Sequence, residues 1–198
     1  MKVLIGGSPC THWSIAQTKN RETEASGIGW ELFLNYRIAR DKYKPDFFLY
    51  ENNKSMSPAI RAQITAELGV EPVLINSALV SAQNRQRLYW VGKREPDGTY
   101  SQVAVEQPED RGVCLLDVLT ADDLAPYNGG EFKKLKAGLH AKFASTWQVG
   151  KTGDSGGQAV RVYDILGKSV TLKALAGAGG AQTGLYKIGD AIFSLNAK

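Results

Sequence analysis

Three short apolar runs constrain this chain more than anything else in it. They are Val3-Leu4-Ile5, Phe47-Phe48-Leu49-Tyr50 and Val73-Leu74-Ile75. Each has the length of a strand, and segments of helical length lie between them. Lys2–Gly6 reads as a first strand closed by Gly6-Gly7. Ile28–Lys42 has helical spacing, with Ile28, Leu32, Tyr36 and Ala39 on one face and Phe33 beside it. Pro45 ends that helix, and Asp46–Tyr50 is the second strand. Ser57-Pro58 is a cap followed by proline at the first helical position. Ile60, Ile64 and Leu68 carry the second helix to Gly69, a left-handed cap. Glu71–Ala78 and Arg87–Gly92 read as further strands. Strands alternating with helices predict a parallel α/β sheet. Working residues then gather beyond the carboxyl ends of the strands.

Chemistry-bearing residues sit at or near those ends. Cys10 follows the first strand in Gly6-Gly7-Ser8-Pro9-Cys10, and Glu51-Asn52 follows the second. The third leads into Gln83-Asn84-Arg85-Gln86-Arg87. Pro9 stiffens the turn, and backbone N–H groups at a turn or helix start favour a thiolate. A thiolate adds to C6 of a pyrimidine if the ring's N3 is protonated or hydrogen-bonded. Glu51 supplies that contact if burial keeps it protonated. Arg85 and Arg87 alternate along an extended segment and are expected to share a face. One would hold the ring's O2 and the other would brace the Cys10 loop. Taken singly, each has a plainer reading: an inert cysteine, a glutamate capping a helix or pairing with a cation, two surface arginines.

The second half differs in character. Glu95–Arg111 is rich in turn formers and charge, Cys114–Leu119 suits a strand or a short helix, and Lys133–Lys142 holds four lysines. Glycine dominates from Gly150, above all in Ala174–Gly184. Arg161-Val162-Tyr163 and Ser169–Lys173 are expected short strands. This half reads as an irregular, glycine-rich lobe with a basic surface, divided from the first by a composition shift near residue 94. The net charge of +4 permits an anionic partner without demanding one. With His12 and His140 as its histidines and Cys10 and Cys114 as its cysteines, the chain shows no metal-ligand spacing and no disulfide framework. No apolar run approaches a membrane span, and no export signal is evident, so a cytoplasmic location is expected.

The three motifs together resemble the DNA (cytosine-5) methyltransferases, bacterial and phage type. That family places a Pro-Cys nucleophile after a glycine pair, matched by Gly7-Ser8-Pro9-Cys10 with Ser14 at a usual serine position. Its Glu-Asn dipeptide is matched by Glu51-Asn52, and its Gln-x-Arg-x-Arg segment by Gln83 through Arg87. The resemblance covers roughly residues 1–93 and implies a partial Rossmann-like catalytic domain there. Residues 94–198 look, more loosely, like a target-recognition region. The implied mechanism flips a cytosine out of duplex DNA. Cys10 adds to C6, Glu51 engages N3, Arg85 and Arg87 assist, and C5 takes the methyl of S-adenosylmethionine. Ser8, Pro9 and Asn52 are implied cofactor contacts. Ser14, Lys19, Arg21, Gln83, Gln158, Arg161 and Lys168 are implied DNA contacts, with Gln182 a further candidate for base readout. The loop His12–Ser26 is expected to be mobile and to close over the flipped base.

The departures carry expectations too. The family's Phe-x-Gly-x-Gly cofactor loop and following acidic residue are not found in this sequence, nor is its Arg-x-x-x-x-x-Glu segment. Asn53 replaces a more usual valine. Lys2–Ile5 is therefore expected to be a bare sheet edge, inviting a homodimer or a companion subunit. The alternatives are a methyltransferase acting fully with a partner and a catalytically inactive DNA-binding remnant. A thymidylate-synthase-like enzyme also uses Pro-Cys, but the Glu-Asn and Gln-x-Arg-x-Arg segments argue against it.

Overall fold

The structure is a computed structural model and describes residues 1–15, 19–135, 146–154, 157–171 and 184–195. The chain divides into two compact units. The first comprises Met1–Ile75 and Gln86–Gln107, the second Asn76–Arg85 and Pro108–Lys198. The division thus falls after Gln107, and the excursion 76–85 belongs to the second unit.

The first unit is a partial, Rossmann-like α/β sheet. Its elements are β1 (Val3–Gly6), α1 (Gly27–Tyr43), β2 (Phe47–Asn53), α2 (Pro58–Leu68), β3 (Pro72–Asn76), β4 (Gln86–Arg94) and β5 (Tyr100–Gln102). The strand order is β1-β2-β4-β3, with β5 paired to β4. β1 and β2 are parallel, whereas β4 runs antiparallel to β2 and β5 antiparallel to β4. The sheet is therefore mixed, not wholly parallel. Residues 77–85 between β3 and β4 are too few for the crossover that returns a chain to a parallel strand.

Both helices pack on one face of this sheet. Phe33 of α1 and Ile60, Ile64 and Leu68 of α2 share a core with Phe48, Tyr50, Leu88 and Trp90. Strand alternation puts Val3, Ile5, Phe47, Leu49, Glu51, Tyr89 and Val91 on the opposite face. The buried stripe of α1 is Gly29, Phe33 and Arg40, not the one expected from Ile28, which is 58 % exposed. Arg40 earns its buried place by donating to the carbonyls of Leu68 and Glu67, at 3.2 and 3.1 Å. Those carbonyls lie at the end of α2, where helical partners are lacking. The guanidinium also stacks over Phe48 and Tyr100. α2 begins and ends as its sequence predicts: Ser57 Oγ accepts from the Ile60 N–H, and Gly69 adopts φ +74°.

The second unit is not irregular. It holds a six-stranded sheet of β6 (Leu124–Pro126), β7 (Lys133–Lys134), β8 (Gln148–Lys151), β9 (Arg161–Asp164), β10 (Leu185–Ile188) and β11 (Ala191–Leu195), ordered β6-β11-β10-β9-β8-β7. The expected strand at Arg161 is β9. Ser169 makes a single bridge to Gln83, and Cys114–Leu119 is a turn rather than a strand or helix. Ala82, Leu115, Tyr163, Ile165 and Tyr186 form its core. Glycine has a packing role here: a Cβ at Gly150 would lie 2.1 Å from the Phe132 ring. Most of Ala174–Gly184, including Gln182, and most of Lys133–Lys142 lie outside the described residues.

Candidate active site

The parallel pairing of β1 with β2 aligns Gly6 with Tyr50. The next residues, Gly7 and Glu51, are then neighbours at the strand ends. Gly7 is required there: a Cβ on it would lie 2.5 Å from the Glu51 carbonyl oxygen and 3.3 Å from Glu51 Oε2. The chain then turns through Pro9, at φ −53° and ψ 127°, into a 3-10 turn, Cys10–His12. The Cys10 carbonyl accepts from the Trp13 and Ser14 N–H groups at 3.1 and 2.9 Å. Asn53 Nδ2 reaches the same carbonyl at 3.4 Å. Cys10 is a free thiol, half-buried.

Antiparallel pairing of β2 with β4 sets Glu51 opposite Tyr89 and Asn53 opposite Arg87. Glu51 and Arg87 are therefore diagonal neighbours on one face. Arg87 Nε lies 2.8 Å from Glu51 Oε1, with the side chains 14 % and 35 % exposed. Arg87 Nη1 also donates to the Gln86 carbonyl. Glu51 is partly exposed rather than deeply buried, and a charge-assisted hydrogen bond from Arg87 holds it on a half-open face. Oε2 faces Gly7 and the start of the Cys10 turn. A thiol, a carboxyl and a guanidinium thus share one end of one sheet.

Arg85 is placed differently. It precedes β4 and falls in the second unit, so it does not alternate with Arg87 along one strand. Its N–H donates to Asn76 Oδ1, and its carbonyl accepts from Ser77. Gln83 bridges to Ser169, Asn84 N–H donates to the Ser169 carbonyl at 2.9 Å, and Thr171 Oγ1 donates to the Asn84 carbonyl at 2.7 Å.

The implied cofactor contacts are taken up internally. Asn52 is 1 % exposed, and its Nδ2 serves the Ser8 carbonyl, Ser8 Oγ and Tyr50 OH. Ser8 Oγ lies 2.6 Å from Tyr50 OH. Burial pushes the Tyr50 hydroxyl's pKa up, so it stays a neutral partner in this triangle. The side chains of Ser8 and Asn52 bond each other and Tyr50, which shapes the turn. Pro9 is exposed, with no side-chain hydrogen bond to give.

The implied DNA contacts separate as well. Lys168 is 5 % exposed, and its ammonium bonds the carbonyls of Ser81 and Val113, so it is a buried strut withdrawn from phosphate. Arg21 donates to the carbonyls of Ser55 and Trp13, at 2.6 and 3.3 Å. Gln158 is half-buried in a 3-10 turn, while Lys19 and Arg161 are exposed. Ser14 is half-buried just after the Cys10 turn. The loop His12–Ser26 is tied down at several described residues: Trp13 is fully buried, and Glu22 accepts from the Trp13 indole and the Gly29 N–H. The sequence signal for this is a tryptophan three residues after the cysteine. Tyr50 and Asn53, which brace the turn, read as ordinary strand residues.

The profile of the family "C-5 cytosine-specific DNA methylase" matches residues 1–155. The chain is 32 % identical over 103 residues to the orphan methyltransferase M.SPRI of Bacillus phage SPR. It is 31 % identical over 103 residues to the orphan methyltransferase M.Rho11sI of Bacillus phage rho11s. Each alignment takes in 47 % of this chain, which spans 23 % and 20 % of those relatives' lengths. A solved structure of a candidate DNA modification methyltransferase encoded within an E. coli prophage is similar at a TM-score of 0.38 and 16 % identity, over 69 % of this chain and 40 % of that one.

Proposed function

The chain belongs to the C-5 cytosine-specific DNA methylase family, and from that premise we propose that its first unit performs cytosine C5 methylation with Cys10 as nucleophile. The observation that carries this reading is the Glu51–Arg87 pair at 2.8 Å, set beside the glycine that opens the Cys10 turn. The substrate is a cytosine flipped from duplex DNA. The Cys10 thiolate adds to C6 while a proton shared between Glu51 Oε2 and N3 offsets the charge entering the ring, leaving C5 electron-rich. Arg87 holds Oε1, which leaves Oε2 for the ring. S-adenosylmethionine, as co-substrate, would supply the electrophilic methyl group to C5 and leave as S-adenosylhomocysteine. Water then removes the C5 proton, the electrons return to the ring, and the Cys10 thiolate departs. The Ser8 and Asn52 side chains bond one another and Tyr50 rather than standing open to S-adenosylmethionine.

DNA contacts fall to exposed cations, Arg161 on β9 and Lys133 and Lys134 on β7. We infer that another chain, a second copy or a companion subunit, pairs with β1. β1 ends the strand path, and Val3 and Ile5 are 51 % and 72 % exposed. No helix among the described residues is long and apolar enough to cross a membrane.

The test is duplex DNA containing 5-fluorocytosine, whose C5 fluorine blocks the final elimination. A covalent adduct that needs S-adenosylmethionine and Cys10 supports the reading. DNA binding that falls with salt, gives no adduct and ignores Cys10→Ser favours the non-catalytic remnant.

A further inference from the structure

Twelve residues past Cys10, a single carboxylate gathers the start of the loop. Glu22 Oε2 accepts from the Trp13 indole N–H at 3.0 Å. Both of its oxygens accept from the Gly29 N–H, at 3.3 and 3.2 Å. Oε1 lies 3.6 Å from His12 Nδ1. The Glu22 N–H closes the circle by donating to the His12 carbonyl at 2.9 Å. Trp13 is fully buried, and its own N–H holds the Cys10 carbonyl. The carboxylate therefore joins three things: the 3-10 turn bearing Cys10, the indole that roots that turn in the core, and the first turn of α1. The last is a favourable place for negative charge, because the first N–H groups of a helix lack helical partners.

The glycines of α1 mark this as a built contact. A Cβ on Gly29 would lie 2.4 Å from Trp13 Nε1 and 2.6 Å from Glu22 Oε2. A Cβ on Gly27, at φ +79°, would lie 2.6 Å from Glu22 Oε1. Glycine is a poor helix former. Two of them in one helical turn leave room for the indole and the carboxylate.

We propose that Glu22 is the positioning residue of the nucleophile, fixing the Cys10 turn against α1 through Trp13. The proposal rests on the reading of Cys10 as nucleophile. A sulfur that must reach one ring carbon depends on where its turn is rooted, and a displacement of about 1 Å costs on the order of a hundredfold in rate. Glu22 touches no reacting atom; it acts through residues 10–13.

The experiment uses the full chain carrying Cys114→Ser, so that Cys10 is its one thiol. Glu22→Gln, Trp13→Phe and Gly29→Ala are each compared with that parent, with thermal melts to confirm folding. Two rates are read: alkylation of Cys10 by iodoacetamide, and adduct formation with 5-fluorocytosine DNA at saturating DNA. An unrooted turn leaves the thiol more open to a small reagent and worse aimed at a ring. Alkylation is expected to rise severalfold while adduct formation falls about ten- to a hundredfold, with DNA affinity unchanged. A merely structural contact lowers the melting temperature and leaves both rates alone. Folded variants whose two rates stay within about twofold of the parent overturn the proposal, taking roughly 0.4 kcal/mol as the corresponding limit. If the parent itself forms no adduct, the methyltransferase reading fails; the alkylation rates of the folded variants then still decide whether Glu22 roots the turn.

Discussion

Arg87 Nε sits 2.8 Å from Glu51 Oε1, on neighbouring antiparallel strands. The contact leaves Oε2 directed at the Gly7 end of the Cys10 turn. Arg87→Lys keeps the charge but loses the planar fork that fixes the carboxyl's orientation. Adduct formation is expected to fall about tenfold or more in Arg87→Lys and about 10²- to 10⁴-fold in Glu51→Gln. Stability should change by about 1 kcal/mol or less, since the pair is partly exposed. Adduct rates and urea melts of the two variants check this. An Arg87→Lys variant that forms the adduct as fast as the parent would remove the orienting role.

Gly7 lets the start of the Cys10 turn pass close to Glu51. In Gly7→Ala the new Cβ meets the Glu51 backbone oxygen at 2.5 Å, and backbone cannot swing aside as a flexible side chain does. A loss of about 1–3 kcal/mol is expected from overpacking, together with loss of the adduct. Cys10→Ser should also abolish the adduct while changing stability by less than about 1 kcal/mol, because the Cys10 carbonyl, not its sulfur, holds the turn. Equal stability loss in both variants would contradict that division of labour.

Much of the first unit was legible because its strands and helices announce themselves locally. Ser57-Pro58 and Gly69 bound α2 as their chemistry requires, and the apolar runs became β1, β2 and β3. What was not legible was long-range. Arg85 and Arg87 look alike in sequence, yet the chain passes from one unit to the other between Arg85 and Gln86. The partnership of Glu51 with Arg87 follows from antiparallel register, which no local pattern encodes. Arg40 was hidden for the same reason: its buried place depends on the carbonyls of α2. In the second unit, glycine suggested irregularity, whereas Gly150 makes room for the Phe132 ring beside a strand. The resemblance implied Lys168 as a DNA contact, whereas carbonyls distant in sequence hold its ammonium.

Lys168 and Arg161 make a contrast that separates strut from DNA contact. Lys168→Met keeps the aliphatic stem but leaves the Ser81 and Val113 carbonyls without their donor. It should cost about 1–3 kcal/mol of stability and leave the salt dependence of DNA binding unchanged. Arg161→Ala, on the exposed end of β9, should do the reverse. The slope of log affinity against log salt is expected to shrink by about one unit, with little change in melting temperature. Fluorescence anisotropy titrations across a salt series decide the matter, and a shallower slope in Lys168→Met would return that residue to the DNA surface.

Alkaline pH should loosen the first unit through its tyrosines. Burial pushes the hydroxyls of Tyr36 and Tyr50 up from their ordinary value, against the nearby Arg40 charge in the case of Tyr36. The fold therefore favours the neutral phenol, and the unfolded chain ionises first, near pH 10. The associated stability is fully present below about pH 10 and is lost as pH rises from there through the folded values. Tyr36 OH also donates to the Leu49 carbonyl at 2.9 Å. Tyr36→Phe is thus expected to cost about 1 kcal/mol at neutral pH and to make the alkaline decline shallower. Urea melts at neutral pH and on either side of about pH 10 check both effects. A Tyr36→Phe chain with the parent's alkaline slope would show that this buried hydroxyl does not couple protons to folding.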